Sequence, residues 1–340
     1  MQAAFALAPA LPRRAADSLA RATSSLEFAF PSRRRRAVES NLDWIARSGT
    51  TLQAIPTAPN IVLNPSLSPD QRTLAYFNRS DIWLLDLQTA TARKFTFDPA
   101  LDFSGIWSPD NKRIVFSSNR SGMFDLFVKN ADGSGGDELL LTTKEDKIPT
   151  DWSRDGSFVL YRSLGEKTSF DIWALSVADR RPFPVLVTGH EERDAQFSPN
   201  GKWVAYQSNE SGRYEIWIRP FPAPGRSVKP DERWQISVGG GTQVRWARDG
   251  SEVFYLAPDG YLMAAAIRVD ADERAVSAGP PKSLFMHGAP VFGGGTALPG
   301  YVPARDSQRF LVTTVAPTAT AVPITVLLNW QPPQASGSAK

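Results

Sequence analysis

The chain has 340 residues, 42% of them apolar and 11% aromatic, enough to bury a sizeable core. It has no cysteine, which excludes disulfide staples, thiolate catalysis and Cys-ligated zinc. The formal charge of +3 is uneven: residues 1–40 carry seven Arg against three acids, and the remainder is −1. A near-neutral body gives no electrostatic footprint for nucleic acid.

Residues 1–40 are expected to be a disordered, Arg-rich tail or a wrongly assigned start. The apolar stretch 3–11 has no basic residue ahead of it and is a poor secretory signal, and an Arg-rich, acid-poor leader resembles an organelle transit peptide. No apolar run reaches the ~18–20 residues of a transmembrane helix; the run 322–330 is too short and carries Pro323 and Asn329. Next, Leu42-Asp43-Trp44-Ile45-Ala46-Arg47 with 51–55 reads as the outer hairpin of a blade whose inner strands are missing.

From residue 62 to residue 330 a unit repeats. Its marks are Leu67-Ser68-Pro69-Asp70, Trp107-Ser108-Pro109-Asp110, Trp152-Ser153-Arg154-Asp155, Phe197-Ser198-Pro199-Asn200 and Trp246-Ala247-Arg248-Asp249, with a degraded sixth, Pro303-Ala304-Arg305-Asp306. Successive Asp or Asn positions are 40, 45, 45, 49 and 57 residues apart, the period of four-stranded propeller blades. Pro suits the second position of a type I turn, so each mark joins two antiparallel strands. A β-rich strand follows it, as in Leu74-Ala75-Tyr76-Phe77 or Trp203-Val204-Ala205-Tyr206. A third strand opens on an acid, as in Asp81-Ile82-Trp83 and Glu215-Ile216-Trp217, and a more polar fourth closes the unit.

The fold class is therefore all-β, a β-propeller of four-stranded blades. Five repeats look complete, and the last segment supplies 309–314 and 324–330. Closure by the N-terminal strands gives six blades; seven, with one incomplete, is the alternative. The domain reading is one propeller over 41–330 and a flexible tail over 331–340.

The units resemble TolB-type, WD-like propeller repeats over about 41–330. A closer resemblance rests on Thr96-Phe97-Asp98-Pro99, Tyr206-Gln207-Ser208-Asn209-Glu210-Ser211-Gly212-Arg213-Tyr214-Glu215, Arg219-Pro220-Phe221-Pro222, Gly239-Gly240-Gly241-Thr242-Gln243, Trp246-Ala247-Arg248-Asp249-Gly250, Phe254-Tyr255-Leu256-Ala257-Pro258-Asp259-Gly260 and Leu327-Leu328-Asn329-Trp330. It is similar to the C-terminal sensor propeller of bacterial membrane-bound serine/threonine protein kinases. There the kinase domain and a membrane helix precede the propeller. Here the Gly-rich loop, the Val-Ala-Ile-Lys strand, the His-Arg-Asp loop and Asp-Phe-Gly are all missing. The resemblance thus implies a sensor or protein-interaction module, detached or truncated, and an extracytoplasmic placement.

The search for chemistry yields no catalytic, metal or cofactor residues. A Ser-His-Asp triad would need one of only two histidines, His190 and His287, and no Gly-x-Ser-x-Gly elbow or phosphate-binding Gly motif occurs. The turn aspartates Asp70, Asp110, Asp155 and Asp249 are expected to bond their own backbone, and the recurrent tryptophans to pack between blades. One cluster stands apart. The links entering successive inner strands carry Asp98, Asp102, Glu145, Asp146, His190, Glu191, Glu192, Arg193, Asp194 and Gln243, and in a propeller such links gather at one channel mouth. The expectation is a non-enzymatic binding or scaffold propeller with a protein or peptide partner, or a small ligand, at that mouth, the acids favouring a cation or a basic peptide. The alternative is a propeller enzyme, or the accessory domain of a prolyl oligopeptidase-type peptidase lacking its hydrolase domain.

Overall fold

The computed structural model describes residues 40–55, 63–165, 169–287 and 300–315. The expectations for 1–39, 324–330 and 331–340 lie outside them. Among the described residues every regular element is a strand, and the strands form six sheets.

The chain opens with a hairpin, β1 (Ser40–Ala46) and β2 (Thr51–Ile55), whose partner comes at the far end of the sequence. Blade 1 follows with β3 (Leu63–Leu67), β4 (Thr73–Asn78), β5 (Asp81–Asp86) and β6 (Thr91–Lys94). Blade 2 holds β7 (Asp102–Trp107), β8 (Arg113–Ser118), β9 (Asp125–Asn130) and β10 (Glu138–Leu141). Blade 3 holds β11 (Lys147–Trp152), β12 (Phe158–Leu164), β13 (Phe170–Ser176) and β14 (Pro182–Leu186). Blade 4 holds β15 (Glu192–Phe197), β16 (Trp203–Ser208), β17 (Glu215–Pro220) and the two-residue β18 (Trp234–Gln235).

Blade 5 holds β19 (Thr242–Trp246), β20 (Glu252–Leu256) and the long β21 (Tyr261–Val269). Its fourth strand comes in two pieces, β22 (Val276–Ala278) and β23 (Lys282–Met286), both paired to β21. That split departs from the single fourth strand expected. Last come β24 (Tyr301–Pro303) and β25 (Arg309–Val315). β25 pairs with β1 in an unbroken antiparallel register from Ser40↔Val315 to Ala46↔Arg309. The N-terminal hairpin thus supplies the two outer strands of blade 6 and closes a ring of six.

Packing shows the same closure. Six large cores each mix residues of two consecutive blades, and the last pairs Leu42 and Leu311 of blade 6 with Leu74 and Tyr76 of blade 1. Leu74 and Tyr76 pack toward blade 6, whereas Ala75 between them packs toward blade 2. Successive strand residues face opposite sides, so a strand between two neighbours must be apolar throughout. This is why the second strands read as continuous hydrophobic runs.

The turns are built as the sequence implies. In blade 2, Ser108 Oγ donates to Asp110 Oδ1 at 2.6 Å, Lys112 N donates to the same oxygen at 3.0 Å, and Arg113 N donates to Ser108 Oγ at 2.8 Å. Blades 1 and 3 repeat all three bonds, and blade 4 does so with Asn200 in place of Asp.

Candidate functional site

The six inner strands β3, β7, β11, β15, β19 and β24 enclose a central cavity of about 270 Å³, lined from every blade. Its wall rises in three tiers, from the inter-blade links at one end to the Ser-Pro-Asp turns at the other.

Nearest the links lies a tier of bulged residues. Asn64, Ser104, Asp194 and Gln243 occupy equivalent places in four inner strands, each at a break in register and each with a positive φ of 51–60°. Non-glycine residues enter that region only when their surroundings hold them there. Asn64 Nδ2 donates to Ser104 Oγ at 2.6 Å, and Ser104 Oγ to the Pro149 carbonyl at 3.3 Å. Gln243 accepts from Gly300 N through Oε1 at 3.0 Å and from the Tyr301 hydroxyl through its carbonyl at 2.7 Å. Asp194 faces the Arg162 guanidinium at 3.8 Å.

The middle tier contains Ser66, Ile106, Asp151, Gln196, Arg245 and Val302. Gln196 Nε2 donates to the Thr150 carbonyl at 2.7 Å and Asp151 Oδ2 accepts from Phe197 N at 2.8 Å, tying blade 4 to blade 3. Burial pushes the Asp151 carboxyl up to about 6, against the Phe197 N–H and the nearby Arg245 charge.

The third tier is the turn end. Where blades 1 and 4 present Pro69 and Pro199 to the cavity, blades 3, 5 and 6 present Arg154, Arg248 and Arg305. All three arginines are exposed, and Arg154 Nη2 donates to the Arg248 carbonyl at 2.7 Å, spanning from blade 3 to blade 5. Burial, then the charge of Arg248, lowers the Arg154 pKa; burial, then Arg305, lowers that of Arg248.

The ten residues singled out in the links are not gathered into one acidic surface. Asp102 is fully buried in blade 2, and Arg120 spans it at 3.2 Å, Asp137 at 2.8 Å and Asp98 at 3.8 Å. Burial raises the Asp102 carboxyl despite that guanidinium. Glu145 accepts from Ser163 Oγ at 2.6 Å, and the buried Asp146 accepts from Phe124 N at 2.9 Å. Burial pushes Glu191 up, but the Arg193 charge and the Tyr214 and Ser169 hydroxyls outweigh it and hold the carboxyl low. His190 is exposed. Only Asp194 of the ten lines the cavity, while Gln243 braces blades 4, 5 and 6 behind it. The negative charge expected at the link end is largely met by the protein's own donors.

The turn-end arginines were in the sequence, inside the repeat marks, but had no role there. The signal was Arg at the turn position that holds Pro in blades 1, 2 and 4. Among the described residues no group of three or more His, Asp or Glu could hold a metal ion, and no helix is long and apolar enough to cross a membrane.

The family model of the TolB beta propeller domain matches residues 47–226. This chain belongs to that family. It is 32% identical over 150 residues to the Tol-Pal system protein TolB of Wolinella succinogenes, covering 43% of this chain and 35% of that protein. It is 27% identical over 173 residues to the Tol-Pal system protein TolB of Helicobacter pylori strain J99, covering 48% and 40%. The chain therefore spans between a third and two fifths of the length of the curated relatives it matches. A solved structure from Agrobacterium tumefaciens bearing the TolB name superposes with a TM-score of 0.63 at 19% identity, over 83% of this chain and all of that one. A chain of a solved nidogen/laminin complex superposes with a TM-score of 0.53 at 10% identity, over 82% of this chain and 98% of that one. At such identities the likeness is one of fold alone.

Proposed function

We propose that this TolB-family propeller is a non-catalytic binding module that holds a protein or peptide partner through its central channel. The observation that carries this is the cavity: all six blades contribute to it, and its wall offers donors and acceptors at every tier. Neither histidine lines it; His190 sits in an exposed link, and the buried His287 lies 3.1 Å from the Gly300 carbonyl. The relatives' name, as components of a Tol-Pal system, makes a protein of such a system the first partner to try. It also supports the extracytoplasmic placement implied by the sequence resemblance.

The test is site-specific photocrosslinking in cells, with the probe at Ser66 or Gln196 in the channel and at Arg181 on the outside. Adducts to one protein from the channel positions alone are expected. Adducts from Arg181 alone would move binding to the outer strands, and catalytic turnover lost on Asp151→Asn would replace binding with chemistry.

The kinase-sensor origin is a finer reading of the same module, supported by the runs from Tyr206 to Glu215 and from Trp246 to Gly250. Reading the genomic frame upstream of Leu42 tests it: a membrane helix and kinase motifs in frame support it, and their absence refutes it.

A further inference from the structure

The charge of the channel wall is opposite to that of the links. Five arginines line the cavity, Arg154, Arg162, Arg245, Arg248 and Arg305, against two carboxylates, Asp151 and Asp194. Asp194 Oδ1 lies 3.8 Å from Arg162 while its Oδ2 has no partner, and Asp151 Oδ2 accepts from Phe197 N. No described carboxylate lies within ion-pair distance of Arg154, Arg245, Arg248 or Arg305. The turn aspartates share the turn end but do not line the cavity, and Asp155, Asp249 and Asp306 each accept bonds within their own turns. Their nearest effect is weak: Asp249 is felt by Arg154, and Arg305 by Asp70.

Asp151 attracts Arg154 and Arg245, yet five guanidinium groups face two carboxylates in this wall, and Arg154, Arg248 and Arg305 repel one another at the mouth. Deeper in, Arg162 is only 8% exposed, lines the cavity, and has a buried Nε with no hydrogen-bond partner. A buried N–H of a cation left without an acceptor is costly, and it points to a missing acceptor. The excess of three guanidinium groups over carboxylates in the wall favours an anionic acceptor on the ligand side. Guanidinium forks match carboxylates, and a rim plus an inner pair of cations suits several carboxylates spaced along a chain.

We infer that the turn end of the channel binds an acidic peptide segment, its carboxylates reaching Arg154, Arg248 and Arg305 at the rim and Arg245 and Arg162 within. This rests on the protein-binding reading and gives the partner its chemistry. Arg154, lying across the mouth to the Arg248 carbonyl, is the side chain that must swing aside to admit it.

The test is fluorescence anisotropy with labelled hexaglutamate and hexalysine peptides on the full chain, at 50 and 300 mM salt. The triple variant Arg154→Gln/Arg248→Gln/Arg305→Gln is compared with Arg181→Gln/Arg268→Gln/Arg274→Gln, which removes the same charge from exposed positions elsewhere. Hexaglutamate is expected to bind in preference to hexalysine and to weaken at least tenfold in the rim triple but less than threefold in the control. The salt dependence is expected to flatten only in the rim triple, since contacts at that range are screened over about 8–10 Å. Should the rim triple melt early, Arg154→Glu/Arg248→Glu/Arg305→Glu replaces it and is expected to bind hexalysine instead. Absence of hexaglutamate binding, equal loss in both triples, or displacement of the peptide by inorganic phosphate at matched charge would overturn the inference. A channel crosslink obtained without hexaglutamate binding would sink only the acidic-segment reading, leaving channel binding in place.

Discussion

Lys147 Nζ lies 3.0 Å from Asp125 Oδ1 with both side chains closed off from solvent, at the junction where blade 2 hands the chain to blade 3. Lys147 also donates to Thr143 Oγ1 at 2.9 Å and to the Glu145 carbonyl, while Asp125 Oδ2 accepts from Thr142 Oγ1 at 3.0 Å. Removing one partner of such a pair strands the other charge. Lys147→Ala is expected to lower stability by about 3–5 kcal/mol in a denaturant melt. Lys147→Met/Asp125→Leu is expected to recover more than half of that. Equal stability of Lys147→Ala and the parent chain would show the pair to be solvated.

The next junction places an acid where blade 3 has Lys147. Glu192 opens β15, is 1% exposed, and faces Asp171 of the preceding blade. Thr188 Oγ1 donates to its Oε1 at 2.6 Å, but Oε2 has no partner. Burial pushes the carboxyl up to about 7, with the Asp171 charge adding to it against the Thr188 bond. An acid with a raised folded pKa binds more protons folded than unfolded, so stability falls as pH rises between about 4.5 and 7. Glu192→Gln is expected to flatten that slope and raise stability at pH 8 by on the order of 2–3 kcal/mol. An unchanged slope in thermal melts across pH 4–8 would refute it.

The turn aspartates act in the opposite sense. The Ser108 hydroxyl lowers the Asp110 pKa and burial opposes it, with the Lys112 N–H adding to the lowering. A depressed folded pKa gives stability that is present above pH 4 and lost as pH falls through the folded value. Asp110→Ala is expected to cost about 1 kcal/mol at pH 7, and that cost is expected to shrink as the pH falls below 4 toward and through the folded value. Melts of both proteins across that range check the difference.

These turns are also where the sequence was most legible. Ser, Pro and Asp at fixed spacing specify a turn by local bonds, and the period between turns specifies a blade. The closing hairpin was legible too, because the run from Leu42 to Arg47 is a strand without a preceding partner. The channel was not. The bulges at Asn64, Ser104, Asp194 and Gln243 carry no glycine to announce a positive φ; their conformation is imposed by neighbouring strands. The arginines at 154, 248 and 305 are nearly 100 and 60 residues apart, and only ring closure makes them neighbours. In the links, Arg120 and Arg193 meet Asp102 and Glu191, and the longer of these pairings, 18 residues apart, is set by the turn between two strands and not by spacing that a sequence shows.

Closure itself can be tested through Arg47. Its guanidinium donates to both carboxylate oxygens of Glu252, at 2.6 and 2.7 Å, and sits 5.6 Å from the Phe254 ring centre. Residue 47 leaves the N-terminal hairpin and residue 252 starts β20, so this fork pins blade 6 to blade 5 across 205 positions of sequence. Both groups are partly exposed, at 24% each, and solvent weakens the pair. Arg47→Gln is therefore expected to cost only about 1 kcal/mol and to leave unfolding in one step. Leu42→Asp is different, because Leu42 is fully buried between blades 6 and 1. Burying that carboxylate or expelling the strand would unlatch the ring, exposing the β25 edge of blade 6's inner pair. The expected result is a loss of about 4 kcal/mol or more, a second early transition in the melt, and faster proteolysis between residues 47 and 63. A single transition with parental protease resistance would mean that the ring is held by the other five junctions without its latch.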